Sequence, residues 1–325
     1  MDVCVVGLGA VGGLIGARLA RGGVPVSAVA RGATLEAVRR DGLTLIEDGE
    51  RSAYPIRVSG DPAHLRTPDV VLLSVKATAL PAVAPTVAAL LGPHTTVVSA
   101  TNGIPWWFCD GLPLPPPGGA AAIPSADPGG VLRATLPPGQ VLGSVLHLSA
   151  STPAPGVVEH RFDERIVLGE PTGGTSERAE RVAALLRTGF TTQVSDCVQR
   201  DVWFKLWGNM TMNPLSAVTG ATMDRILDDP ELRGFATRCM REAAEVGERI
   251  GLHIDVDPEQ RHAVTRRLGA ARTSMLQDVD AGRPIELDAL VTTVIELARS
   301  LGVPTPELET LLGLARVHAQ VRGLY

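Results

Sequence analysis

Val3-Cys4-Val5-Val6-Gly7-Leu8-Gly9-Ala10-Val11-Gly12-Gly13 stands near the start of the chain, followed by apolar residues at helical spacing as far as Ala20. A short continuous apolar run, a glycine turn and an amphipathic stretch read as strand, turn and helix. Gly7 permits the tight turn, Gly9 lets the backbone approach a pyrophosphate, and Gly12 lets the helix pack close to the strand. Leu8, Ala10 and Val11 complete the loop beneath the phosphates, where the helix N-terminus carries the positive end of its dipole. A second strand over residues 25–30 supplies the context this motif needs, so the stretch predicts dinucleotide binding. An acidic residue at the end of that second strand would serve the ribose hydroxyl of NAD, but the sequence there is Val29-Ala30-Arg31-Gly32. A guanidinium matches a 2′-phosphate, so Arg31 favours NADP(H), the competing reading being an ordinary surface Arg.

Working outward, the 325 residues suffice for about two domains with a real core. The composition, 45% hydrophobic and 20% charged, is that of a folded globular chain. Thirty basic against 35 acidic residues leave a net charge of −5, which supplies no basic excess for a phosphate backbone or an anionic bilayer. Neither nucleic acid nor membrane is an expected partner. Cys4, Cys109, Cys197 and Cys239 form no C-x-x-C pair, and the seven histidines show no metal-ligand spacing. Reduced thiols in a cytoplasmic protein without a metal are the expectation. Residues 2–19 lack a basic leader and are broken by five glycines, so they read as structure and not as a targeting segment.

Further strands are legible at 43–47 and 57–59, as a hairpin-like excursion, and at 70–75 and 95–100 on either side of a helix near 79–91. This alternation predicts a parallel doubly wound sheet, whose ligands lie beyond the carboxyl ends of the strands. Lys76 and the turn Thr101-Asn102-Gly103 fall there. Residues 111–139 are dense in Pro and Gly and read as a surface excursion. Trp106-Trp107-Phe108 leads into it, either walling a site or packing the loop base. Strands at 141–148, 156–161, 165–168 and 191–194, with a helix at 175–187, complete a Rossmann-type dinucleotide-binding domain over 1–198. An all-helical domain over 199–325 follows, with helices at 201–217, 230–250, 258–280, 284–301 and 306–319.

The chain has 28 Arg but two Lys, Lys76 and Lys205. Arg cannot release a proton at useful pH whereas a buried Lys can be tuned to do so, which singles out the two positions where Arg was not used. Lys205, Asn209 and Asn213 recur at i, i+4 and i+8 and share one stripe of a helix otherwise made of Trp203, Phe204, Leu206, Trp207, Met210 and Met212. Buried amides and an ammonium need partners, which a substrate carboxylate or carbonyl would supply. Ser274 and Asp278 repeat the i, i+4 spacing, and Glu286 falls in the first turn expected for the helix at 284–301. Its alternative role is that of a helix-dipole partner, and that of Asp278 a turn cap.

These residues resemble the ketopantoate reductase (2-dehydropantoate 2-reductase) family across nearly the whole chain. The likeness lies in the N-terminal G-x-G-x-x-G with Arg31, Ser-Val-Lys76, Asn102-Gly103, Lys205-x-x-x-Asn209-x-x-x-Asn213-Pro-Leu, and Ser274-Met-Leu-Gln-Asp278 with Glu286. It implies NADPH and a 2-oxo acid bound between a Rossmann domain and a helical domain. Lys205 matches the family's general acid, and Glu286 the acid that positions substrate and that lysine. Asn209, Asn213 and Ser274 match substrate-binding groups. Lys76 and Asn102 match groups beside the nicotinamide ribose and the reacting carbonyl. Thr101, where many members carry Gln, and the tandem tryptophans depart from the pattern. The substrate by resemblance is ketopantoate, the alternatives being another 2-oxo acid, carbonyl or imine, or a non-enzymatic NADP(H) sensor. A homodimer is the expected assembly.

Overall fold

Strand β1 (Val3–Val6) pairs with a parallel strand on each edge and is buried at every position, and a strand covered on both faces is apolar without alternation. A computed structural model describes residues 1–114 and 123–325. Two compact units are present: residues 1–101 with 130–198, and residues 102–129 with 199–325.

In the first unit β1 is followed by α1 (Ala10–Arg21), β2 (Val26–Val29), α2 (Gly32–Asp41), β3 (Leu43–Glu47), β4 (Glu50–Tyr54), β5 (Arg57–Ser59) and β6 (Val70–Leu73). Then come α3 (Leu80–Ala88), β7 (Thr96–Ser99), α4 (Val131–Thr135), β8 (Val141–Ala154), β9 (Val157–Gly169), α5 (Glu177–Leu186) and β10 (Thr191–Ser195). Among the described residues one sheet carries all ten strands in the order β4-β3-β9-β8-β7-β6-β1-β2-β5, with β10 also on β9. It is mostly parallel and Rossmann-like, with antiparallel pairs at β3/β4 and β8/β9.

The sheet curls around α1. Besides β1, that helix packs on β3, β8 and β9, and a Cβ on Gly13 would stand 2.4 Å from Val158 Cγ1. Arg18, 3% exposed, projects from this enclosed helix. Its guanidinium donates to Glu47, Glu164 and the Gly189 carbonyl and lies 4.9 Å from the Phe190 ring centroid. A charge enclosed to that degree is tolerated because its donors are met. Burial pushes the Glu47 carboxyl up, but hydrogen bonds from Arg21 and Arg18 outweigh it and leave the group below the ordinary carboxylate range.

Three local expectations are corrected. The hairpin partner of residues 43–47 is β4 and not 57–59, since Asp48 and Gly49 both have positive φ and form a two-residue turn. β5 instead joins the sheet parallel to β2. The three strands expected at 141–148, 156–161 and 165–168 are two long ones, whose register shifts and left-handed Asp163 break the alternation that marks a strand.

The second unit contains α6 (Val198–Thr219, entering it at Gln199), α7 (Met223–Asp228), α8 (Pro230–Arg249), α9 (Pro258–Arg266), α10 (Ser274–Asp280), a π-turn (Asp288–Thr292), α11 (Thr293–Ser300) and α12 (Pro306–Gln320). The helix expected at 258–280 is two helices: Gly269 turns left-handed at φ 59°, and Thr273 starts α10 by accepting from Leu276 N. The core of this unit is mostly aliphatic, with tryptophans among its largest members. Trp203 and Trp207 are fully buried on α6, and a Cβ on Gly247 of α8 would stand 2.5 Å from Trp203 Nε1.

Residues 102–129, expected with the sheet, group with the helices. Phe108 meets Trp203 at 5.9 Å between centroids, Gln199 Nε2 donates to the Asp110 carbonyl, and Ser125 N donates to Glu296. Trp106, Trp107 and Phe108 are therefore packing residues of this unit, all buried. Of the excursion expected at 111–139, residues 115–122 lie outside the described residues.

Candidate active site

The glycine turn and the residues expected to hold the nucleotide lie in the first unit. Gly7 adopts φ 103°, and a Cβ there would meet Val75 Cγ1 at 2.7 Å. At Gly12 a Cβ would fall 2.1 Å from both the Gly7 carbonyl oxygen and Ser74 Oγ, so the first turn of α1 lies directly on the strand ends. Gly9 differs: nothing lies within 4 Å of its Cβ position. It is the N-cap of α1, with no side-chain cap and no acidic residue in the first turn. An exposed, uncapped helix start with room over its central glycine fits a pyrophosphate, whose oxygens would take up the free N–H groups. Leu8 is buried beneath the turn, while Ala10 and Val11 are half-buried at its rim. Arg31 is exposed at the N-cap of α2, directly beyond β2, with no ion pair among the described residues. Lys76 caps the short turn Ala77–Ala79 after β6.

The polar constellation lies in the second unit. Lys205 Nζ donates to Asn102 Oδ1 at 2.9 Å, joining α6 to the Asn102-Gly103 turn. As a residue Lys205 keeps partial solvent access, but its ammonium is enclosed by protein. Burial pulls its pKa from 10.5 down to about 8, against the charge of Glu286, which pushes it back up. An ammonium near pH 8 can give up a proton in turnover and recover it from water, which Arg cannot do.

Glu286 is not in a first helical turn as expected. It precedes the helix, its carbonyl accepting from Leu290 N at 3.3 Å, so it stands at the cap, half-buried. Asn213 is buried to 7% exposure and Asn209 half-buried on the Lys205 stripe, and neither amide makes a hydrogen bond among the described residues. Pro214 follows Asn213 inside the helix and removes one backbone donor there. Ser274 is exposed at the first position of α10. Asp278 closes a turn: its carboxylate pairs with Arg283 Nε at 3.0 Å, and its carbonyl accepts from Arg283 N. The structure thus joins Lys205 and Asn102 directly and sets Glu286 within electrostatic reach, while Ser274 makes no hydrogen bond to them.

The sequence reading gave Gly103 no task beyond a turn. Its φ is 82°, and a Cβ would lie 2.2 Å from the Ala289 carbonyl oxygen in the π-turn. The Asn-Gly pair was visible, but the contact that constrains it was not.

Models of the ketopantoate reductase PanE/ApbA family match residues 3–105 and, for its C-terminal domain, residues 197–319. A 2-dehydropantoate 2-reductase from Mesorhizobium japonicum is 40% identical over the full length of both chains. A crystal structure from Ralstonia solanacearum MolK2, provisionally named a ketopantoate reductase, superposes with a TM-score of 0.95 at 51% identity, covering 100% of this chain and 99% of that one. The 2-dehydropantoate 2-reductase of Methylococcus capsulatus gives 0.82 at 27% identity over 99% and 98% of the two chains. A Rossmann-like unit followed by a helical unit of this family defines a class, the NADP-dependent oxidoreductases. Within it, this chain belongs to the ketopantoate reductase family.

Proposed function

We propose that the protein reduces 2-dehydropantoate to pantoate with NADPH, and that Lys205 is the proton donor. The observation that carries this reading is the enclosed Lys205 ammonium donating to Asn102, and burial, which lowers its pKa to about 8 against the charge of Glu286, supports it. NADPH, when bound, supplies hydride to the carbonyl carbon. Lys205 gives its proton to the carbonyl oxygen, which becomes the hydroxyl, and the neutral amine is reprotonated from water. Asn102 holds the ammonium toward the reacting oxygen, and Glu286 keeps it charged before reaction. Asn209, Asn213 and Ser274 bind the substrate's carboxylate and hydroxyl. The glycine turn Gly7–Gly12 with Leu8, Ala10 and Val11 holds the pyrophosphate, Arg31 the 2′-phosphate, and Lys76 with Asn102 the nicotinamide ribose side. Domains of 1–198 and 199–325 serve cofactor and substrate, with residues 102–129 lent to the second.

The test is NADPH oxidation by purified protein with ketopantoate and with other branched and aryl 2-oxo acids. Ketopantoate is expected to lead in kcat/KM, and Lys205→Ala to lower kcat by roughly 10²–10⁴ with NADPH binding unchanged. A tenfold better rival substrate would overturn the specific reaction, and full turnover by Lys205→Ala the mechanism.

We also propose a cytoplasmic homodimer. Four free cysteines support the compartment. Among the described residues no helix is long and apolar enough to cross a membrane. Pairing is supported by Leu314, Val317 and Val321, 56%, 58% and 74% exposed, which share one face of α12 and its C-cap.

A further inference from the structure

The turn carrying Asn102 is fixed by an unusual contact. Ile104 N donates at 2.9 Å to the Ala289 carbonyl, and the same oxygen accepts from Thr293 Oγ1 at 2.9 Å. Ala289 lies in the π-turn that begins two residues after Glu286, in which Thr293 N reaches the Asp288 carbonyl five residues back. Single π-turns are rare and frequently stand at functional sites. The Asp288 carboxylate ties the turn down by accepting from Thr292 Oγ1 at 2.6 Å and Tyr325 OH at 2.8 Å. Gly103 is the residue that lets the two backbones touch: a Cβ would stand 2.2 Å from the Ala289 oxygen, 2.6 Å from its carbon and 2.8 Å from its Cβ.

We propose that Gly103 and the π-turn Asp288–Thr292 form a positioning joint for catalysis, locking Asn102 onto the Lys205 ammonium in register with Glu286. The inference rests on the reading of Lys205 as proton donor. The joint gives the three groups a common reference: Asn102 is one residue from Gly103, Glu286 two residues before the π-turn, and Lys205 donates to Asn102. Within the unit, the ammonium meets Asn102 from the turn and feels the charge of Glu286 from the helix start, and Asp201 stands one turn earlier on α6. A carbonyl accepting from an ammonium favours its charged form, so moving Asn102 away lowers the pKa of Lys205 further.

The joint is tested with Gly103→Ala beside Gly220→Ala. Gly220 also has positive φ, 71°, but nothing within 4 Å of its Cβ position, so it carries the same backbone strain without the overlap. Gly103→Ala is expected to lower kcat at least tenfold and to move the alkaline limb of the kcat profile down by half a pH unit or more. Gly220→Ala should leave kcat and limb unchanged. In the Asn102→Ala background, adding Gly103→Ala should cost less than twofold more, because it acts through the same contact. If Gly103→Ala does not fold, the double variant Thr292→Val/Tyr325→Phe releases Asp288 without altering any charge, and should shift the limb the same way with a loss of about threefold in kcat. An unmoved limb in whichever variant folds, or full additivity with Asn102→Ala, overturns the joint. Wild-type turnover by Lys205→Ala would instead overturn the proton-donor reading beneath it.

Discussion

Lys205 makes activity and stability respond to pH in opposite directions. Its pKa of about 8 in the folded protein lies below the 10.5 of the free side chain. With Lys205 as the proposed proton donor, the protonated form is the reactive one, and kcat is expected to fall about tenfold per unit above pH 8. Between pH 8 and 10.5 the unfolded chain binds the proton that the folded one has lost, so the contribution of Lys205 to stability rises over that window. Paired rate and urea-unfolding titrations check this, and a rate that stays flat to pH 10 would remove Lys205 from proton transfer. At the other end of the reaction, Arg31→Ala is expected to weaken NADPH about tenfold while leaving NADH unchanged, since a lost charged hydrogen bond costs that much. Fluorescence titration with both cofactors decides it. These two candidates stand out in the sequence because composition and motif isolate them, Lys205 as one of two lysines in an Arg-rich chain and Arg31 at a strand end where an acid would serve NAD. Arg18 was hidden by that same background: nothing local distinguishes the buried arginine from 27 others.

At the scale of elements, α1 separates two kinds of glycine. Gly12→Ala forces a Cβ into the Gly7 carbonyl and is expected to cost about 2–4 kcal/mol of stability, as overpacking against backbone does. Gly9→Ala meets open space and should leave stability within about 0.5 kcal/mol while weakening NADPH severely. Thermal melts with and without cofactor read both, and equal destabilisation by the two changes would contradict the division of labour. The strand-turn-helix that holds these glycines was legible because its signals are local. So were the Pro-initiated α8, α9 and α12, with Asp229 and Asp257 capping the first two. The Asp48-Gly49 hairpin carried a local signal that went unread. The length of β8 and β9 and the break before α10 had weaker ones, because a bulge or a left-handed glycine interrupts periodicity without ending the pairing or the path of the chain.

For the whole molecule, a homodimer should show about twice 34 kDa by light scattering, and Val317→Asp should reduce it to one chain with little effect on kcat. A wild-type mass of 34 kDa would refute the assembly. The division into units was only half legible: the change of pattern at residue 199 is a matter of periodicity, whereas the allegiance of residues 102–129 depends on packing partners far along the chain. That allegiance has a temporal side. Gln199 and the Asp110 carbonyl it bonds are 89 positions apart, and at about 5–20 residues per second a ribosome needs roughly 5–20 s to cover that stretch. Throughout the interval Trp106, Trp107 and Phe108 have been synthesised, while the indole of Trp203 that Phe108 will meet has not. The nascent protein therefore carries an unsheltered aromatic cluster for several seconds, a segment on which chaperone capture and early aggregation would concentrate.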